Sequence, residues 1–206
     1  MSIKRERGLT IIELVMFIVI MGVAAAGIIG VLNLSATSSA DPLRRKQAML
    51  IAEAYMEEVQ LAGLSFCAPN DAAYGTAVKL GDCLTAAAVG QRVPGSARPY
   101  TSVADYATKL NTAERTFSVD GVDRDVNGRA LGADQASKTM GNSSLAGITT
   151  TVTLNVLGPG AELGPAGSLI GSTAANLEAL QITVITQYGG PNEFIRLDGY
   201  RTRYAP

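Results

Sequence analysis

The distribution of apolar and polar positions divides the chain sharply. From Leu14 to Leu32, 19 consecutive residues carry no charged or polar side chain. As a helix, that run is about 28 Å long, close to the roughly 30 Å of a bilayer's hydrocarbon core. A short basic stretch, Met1-Ser2-Ile3-Lys4-Arg5-Glu6-Arg7-Gly8, precedes it, followed by Leu9-Thr10-Ile11-Ile12-Glu13. By the positive-inside rule the basic end stays cytoplasmic and everything after about Leu34 lies on the far side of the membrane.

The pattern then changes twice. Asn33–Asp41 is a Ser/Ala-rich polar bridge, and at Pro42 the helix is either interrupted or begun anew, with Ser39 or Asp41 placed to cap it. Leu43–Ala62 is rich in helix formers, and Met49, Ala52, Met56 and Val59 fall on one apolar stripe, with Gly63 as the stop. Its basic residues come early and its acidic ones late, against the helix dipole, so packing must hold it. Farther on, Ile148, Thr150, Val152, Leu154 and Val156 alternate with polar neighbours, as do Leu180, Ile182 and Val184. Both read as half-buried strands. Gly189-Gly190-Pro191-Asn192 turns the second of them back into Glu193–Leu197 as a hairpin. Phe66–Pro99 and Gly158–Ala174 read as loops, and Tyr100–Phe117 has room for a short helix. The expected fold class is α+β: a long N-terminal helix, apolar then amphipathic, with an antiparallel sheet on its second half.

Glu13 sets the first stretch apart from commoner segments. A secretory signal with a cut near Ala24-Ala25-Ala26, or a plain single-span anchor, accounts for the length but not for a carboxylate at the edge of the apolar run. Drawn to the membrane centre that carboxylate costs about 2.5–3.5 kcal/mol. Lys4-Arg5-Glu6-Arg7-Gly8 followed by Leu9-Thr10-Ile11-Ile12-Glu13-Leu14-Val15 resembles the N-terminal signal of type IV prepilins and pseudopilins. The resemblance implies cleavage by a prepilin peptidase between Gly8 and Leu9, N-methylation of Leu9, and an assembly role for Glu13. Leu9 departs from the Phe most often found there. The new amine would lie four residues before Glu13, one helical turn away, and in the family the Glu is thought to meet the amine of a neighbouring subunit. Each charge would offset the other's desolvation.

The resemblance divides the chain into a leader at 1–8, a transmembrane and filament-core helix at 9–34, a linker and amphipathic helix at 35–63, and a periplasmic or extracellular head at 64–206. Ser39-Ala40-Asp41-Pro42, Lys46-Gln47-Ala48 and Glu57-Glu58 are similar, in that order, to minor pilin-like proteins of the mannose-sensitive haemagglutinin (MSHA) pilus system. The expected function is that of a minor structural subunit, held in the inner membrane and then in a surface filament. Its expected partners are other pilin subunits, prepilin peptidase and the inner-membrane assembly machinery. A type II secretion pseudopilin and a membrane-anchored binding module for a surface sugar or DNA are the alternatives.

Within the span, Gly22, Ala26 and Gly30 recur every four residues. Either they let membrane helices approach closely, or the glycines loosen the helix. Cys67 and Cys83 are the chain's 2 cysteines, 16 positions apart in a Gly/Ala/Asp-rich segment. In an exported protein they read as a disulfide, with two unrelated thiols as the alternative.

Composition narrows the chemistry. The net charge is −1, from 17 basic and 18 acidic residues, so no nucleic-acid partner is expected. The chain contains no His, which removes the commonest general base and metal ligand. No nucleophile motif, phosphate loop or Cys/His metal spacing is present, so an enzyme is not expected and no cofactor is implied. One ligand pattern stands out: Asp123, Asp125, Asn127 and Asp134, with Gly128 at the sixth position, follow the spacing of a calcium loop. The same residues also read as an Asn-Gly turn with solvated carboxylates.

Overall fold

The computed structural model describes residues 10–136, 138, 145 and 147–203, with the backbone alone over 33–41. It divides into two units, Met1–Arg44 and Arg45–Pro206. Helix α1 runs from Ile11 to Leu61. The break expected at Pro42 is not there, because the helix continues through it. One proline costs about 3 kcal/mol through a single missing ladder bond and a local clash, and helix already formed on both sides propagates past it. Capping by Ser39 or Asp41 concerns side chains outside the described residues.

In the C-terminal unit the second half of α1 lies on a three-stranded antiparallel sheet, order β3-β4-β5, formed by Thr149–Val156, Ala179–Gln187 and Phe194–Thr202. The inner face presents Val152, Leu154, Leu180, Ile182 and Val184, all fully buried against Ala52, Tyr55, Met56 and Val59 of α1. Each large apolar side chain buried there contributes about 1.5–3 kcal/mol. The buried stripe of α1 differs from the expected one: Ala48 is fully buried, whereas Met49 is 48% exposed. The small side chains of Ala48 and Ala52 admit a close approach that Met49 would prevent. Gly199 of β5 serves the same approach, since a Cβ there would collide with the amide of Gln60 and press on the sulfur of Met56.

The third strand extends past the expected Leu197, pairing Tyr200, Arg201 and Thr202 with Gln181, Leu180 and Ala179. A two-residue ladder, β1 (Ser118–Val119) with β2 (Val122–Asp123), closes through Asp120 (φ 52°) and Gly121 (φ 80°). Two successive left-handed residues form the tight turn whose twist suits a hairpin. The Tyr100–Phe117 stretch contains a 3₁₀ turn, Val103–Tyr106, capped by the Ser102 hydroxyl, which accepts from the Ala104 amide.

Candidate functional site

The N-terminal unit carries the feature with the largest unmet physical demand. Ile11–Leu32 forms 22 helical residues of mean hydropathy 2.7, none of them buried, long and apolar enough to cross a membrane. Fifteen large apolar side chains between Ile11 and Leu32 are exposed. At about 1.5–3 kcal/mol each, leaving them in water forgoes on the order of 20–45 kcal/mol. Lipid or protein must therefore cover this surface. Glu13 is the acidic residue of the first turn, and the amides of both Glu13 and Leu14 donate to the Thr10 carbonyl, at 3.1 and 3.2 Å. Gly22, Ala26 and Gly30 share one helix face, and a Cβ built at Gly22 or Gly30 meets nothing within 4 Å. Gly8 and Leu9 lie outside the described residues.

In the C-terminal unit Cys67 and Cys83 form a disulfide with their Cα atoms 5.3 Å apart. It closes a segment with few strand or helix bonds, in which Asp71 accepts hydrogen bonds from the amides of Ala73 and Thr85. These amide bonds hold the Asp71 carboxyl below its ordinary range. Replacing both cysteines by Ser lowers stability by about 3 kcal/mol, the loop-closure entropy of this spacing. The check is the urea midpoint of the full chain in detergent, and an unchanged midpoint would contradict it.

The calcium pattern does not assemble into a ligand set. Asp123 is buried at 3% exposure and turns inward, accepting from the Thr150 amide at 2.6 Å and from Arg115 at 3.1 Å. Asp125 accepts from the amides of Asn127 and Arg129, and Asp134 from those of Ala136 and Lys138. Gly128 sits at φ +78°, in the turn that the Asn-Gly reading implies. Carboxylates already engaged in this way, by Thr150 and Arg115 at Asp123 and by nearby amides at Asp125 and Asp134, are not poised to converge on a cation. Among the described residues, no group of three or more His, Cys, Asp or Glu side chains could hold a metal.

The strongest polar cluster was not legible in the sequence. Arg98 and Glu58, with side chains only 10% and 9% exposed, form a bidentate pair at 2.9 and 2.6 Å. Arg98 also donates to the carbonyl of Arg124 at 2.9 Å and lies over the Phe117 ring, 4.7 Å from its centroid. The Tyr106 hydroxyl donates to Glu58 at 3.0 Å, and that of Tyr55 to the Arg124 carbonyl at 2.9 Å. Burial pushes both phenols well above their ordinary range, with the Asp123 charge adding for Tyr55 and the Glu58 charge for Tyr106. Both therefore act as permanent donors. Burial alone would lower the Arg98 guanidinium, but its hydrogen bonds and charge contact with Glu58 raise it. The cluster joins α1, the loop before Pro99 and the β1–β2 region, which makes it a clamp.

Beside it runs an open apolar groove of about 730 Å³, lined by Leu50, Ala54, Leu61, Tyr100, Val126 and Leu131 among others. No family model, curated protein or solved structure matches the chain.

Proposed function

We propose that the chain is a minor structural subunit of the type IV pilin class, from an MSHA-type adhesion filament. In this reading prepilin peptidase removes Met1–Gly8, Leu9 is N-methylated, and Ile11–Leu32 holds the protein in the inner membrane until assembly. The helix then leaves lipid for the company of the same helix in other subunits. The observation that carries the reading is the 22-residue apolar helix with no side chain buried and a carboxylate in its first turn. A plain anchor has no use for Glu13, whereas an assembling helix does: the charge finds its partner only when another subunit's amine is beside it.

Two further features support export and close helix packing. A disulfide persists in an oxidising compartment, beyond the cytoplasmic face. The Gly22, Ala26 and Gly30 strip lets a second helix approach.

The test is intact mass with N-terminal peptide mapping on protein from sheared surface filaments and from membranes of the native host. A chain beginning at methylated Leu9 in the sheared fraction is the expected result. The same processed chain confined to membranes would point to a secretion pseudopilin instead, and a chain beginning at Met1 would overturn the reading.

A further inference from the structure

Strand β5 ends the sheet, and among the described residues no strand pairs with its outer edge. Its side chains alternate: Ile195 and Leu197 pack on the core, while Phe194 and Tyr200, 46% and 51% exposed, face outward with Arg196 and Asp198. The Tyr188 amide donates to the Glu193 carbonyl and the Arg203 amide to the Glu178 carbonyl. Odd-numbered residues of β5 therefore turn their backbone groups toward β4. By the alternation of an antiparallel ladder, Phe194, Arg196, Asp198, Tyr200 and Thr202 point theirs away from it. A nine-residue edge of this kind, with neither Pro nor Lys, is a template for another strand.

The charges along this edge specify what that strand is. We propose that β5 pairs antiparallel with β5 of a second copy, in the register centred on Leu197, so that two three-stranded sheets become one. In that register Phe194 faces Tyr200 of the second copy, Arg196 faces Asp198, and Glu193 faces Arg201. Opposite charges and an aromatic pair thus meet across the join, the pairings that stabilise adjacent strands. Outward-pointing backbone groups meet each other in steps of two residues, so the neighbouring registers centre on Arg196 or on Asp198. Those place two guanidinium groups or two carboxylates face to face, which is destabilising. The contact is isologous and closes as a pair. It is independent of the filament reading, which works through the other unit.

The test mixes two variants of the full chain in detergent, with oligomeric state read by light scattering. Arg196→Asp alone and Asp198→Arg alone each place like charges across the join and weaken dimerisation at least tenfold. An equimolar mixture of the two restores dimers, because only the mixed pair has opposite charges at both crossings, while the bidentate pair that Arg196 forms with Asp198 within each chain, at 2.9 and 3.0 Å, stays broken in both variants. A second measurement does not depend on those variants folding. Leu197→Cys lies across the two-fold axis from itself, at a non-hydrogen-bonded position where Cα atoms approach to about 4.5 Å, within disulfide reach. It forms a covalent dimer on oxidation. A monomeric wild-type chain, single variants that dimerise as well as wild type, a mixture that stays dissociated, or a Leu197→Cys chain that does not cross-link would each overturn the proposal.

Discussion

Arg98→Met removes about 3–5 kcal/mol of stability, the cost of leaving a buried carboxylate without its partner. Glu58 is 9% exposed on its side chain and receives two hydrogen bonds from the guanidinium and one from Tyr106. With Met in place, the Tyr106 hydroxyl alone remains to it, and the carbonyl of Arg124 keeps only Tyr55. Arg98→Lys retains the charge but not the planar fork, so it loses an intermediate amount. Pairing Arg98→Met with Glu58→Leu recovers most of the loss, because the cost lies in the orphaned charge more than in the absence of an ion pair. Urea unfolding of the full chain in detergent, read by tyrosine fluorescence, supplies the double-mutant cycle. A single-variant loss below about 1 kcal/mol, the value of a surface pair, would contradict the clamp.

How much of this was legible in the sequence follows from the range of each interaction. The strands were readable because alternation is local: Thr150, Val152 and Leu154 declare their face without reference to anything distant. Beyond Leu197 the inward positions of β5 are Gly199 and Arg201, which carry no apolar signal, though β4 still pairs with them. On α1, two neighbouring apolar phases were available. The stripe through Met49 looked more hydrophobic, yet the sheet took the one through Ala48, since close approach favours the smaller side chain. Pro42 marks a boundary by local propensity alone, and the helix on both sides overrides it. The Asp120-Gly121 hairpin had its turn signal in plain view but lacked strands long enough to frame it. The calcium pattern matched in spacing alone; whether carboxylates converge depends on what the local amides have already claimed. Arg98 and Glu58, 40 positions apart, leave no local trace at all.

Glu13→Ala produces effects of opposite sign on membrane insertion and on assembly, and this is the sharpest test of the N-terminal unit. Removing the carboxylate from the first turn of the apolar run spares up to about 2.5–3.5 kcal/mol of burial cost, so insertion is unchanged or improved. The C-terminal unit does not include Glu13, and its unfolding midpoint stays where it was. On the proposed reading, incorporation into sheared filaments falls by more than tenfold, because the amine of a processed Leu9 would then enter an apolar helix bundle with no counter-charge. Glu13→Gln separates charge from size: it keeps the length and hydrogen-bonding capacity but not the charge, and it fails to assemble as Glu13→Ala does. The measurement is the ratio of processed chain in the sheared fraction to that in the membrane fraction of the native host, for wild type and both variants. If either variant enters filaments as well as wild type, the carboxylate is not an assembly element. Ile11–Leu32 then serves as an anchor alone, and the unit formed by Arg45–Pro206 becomes the place to look for activity.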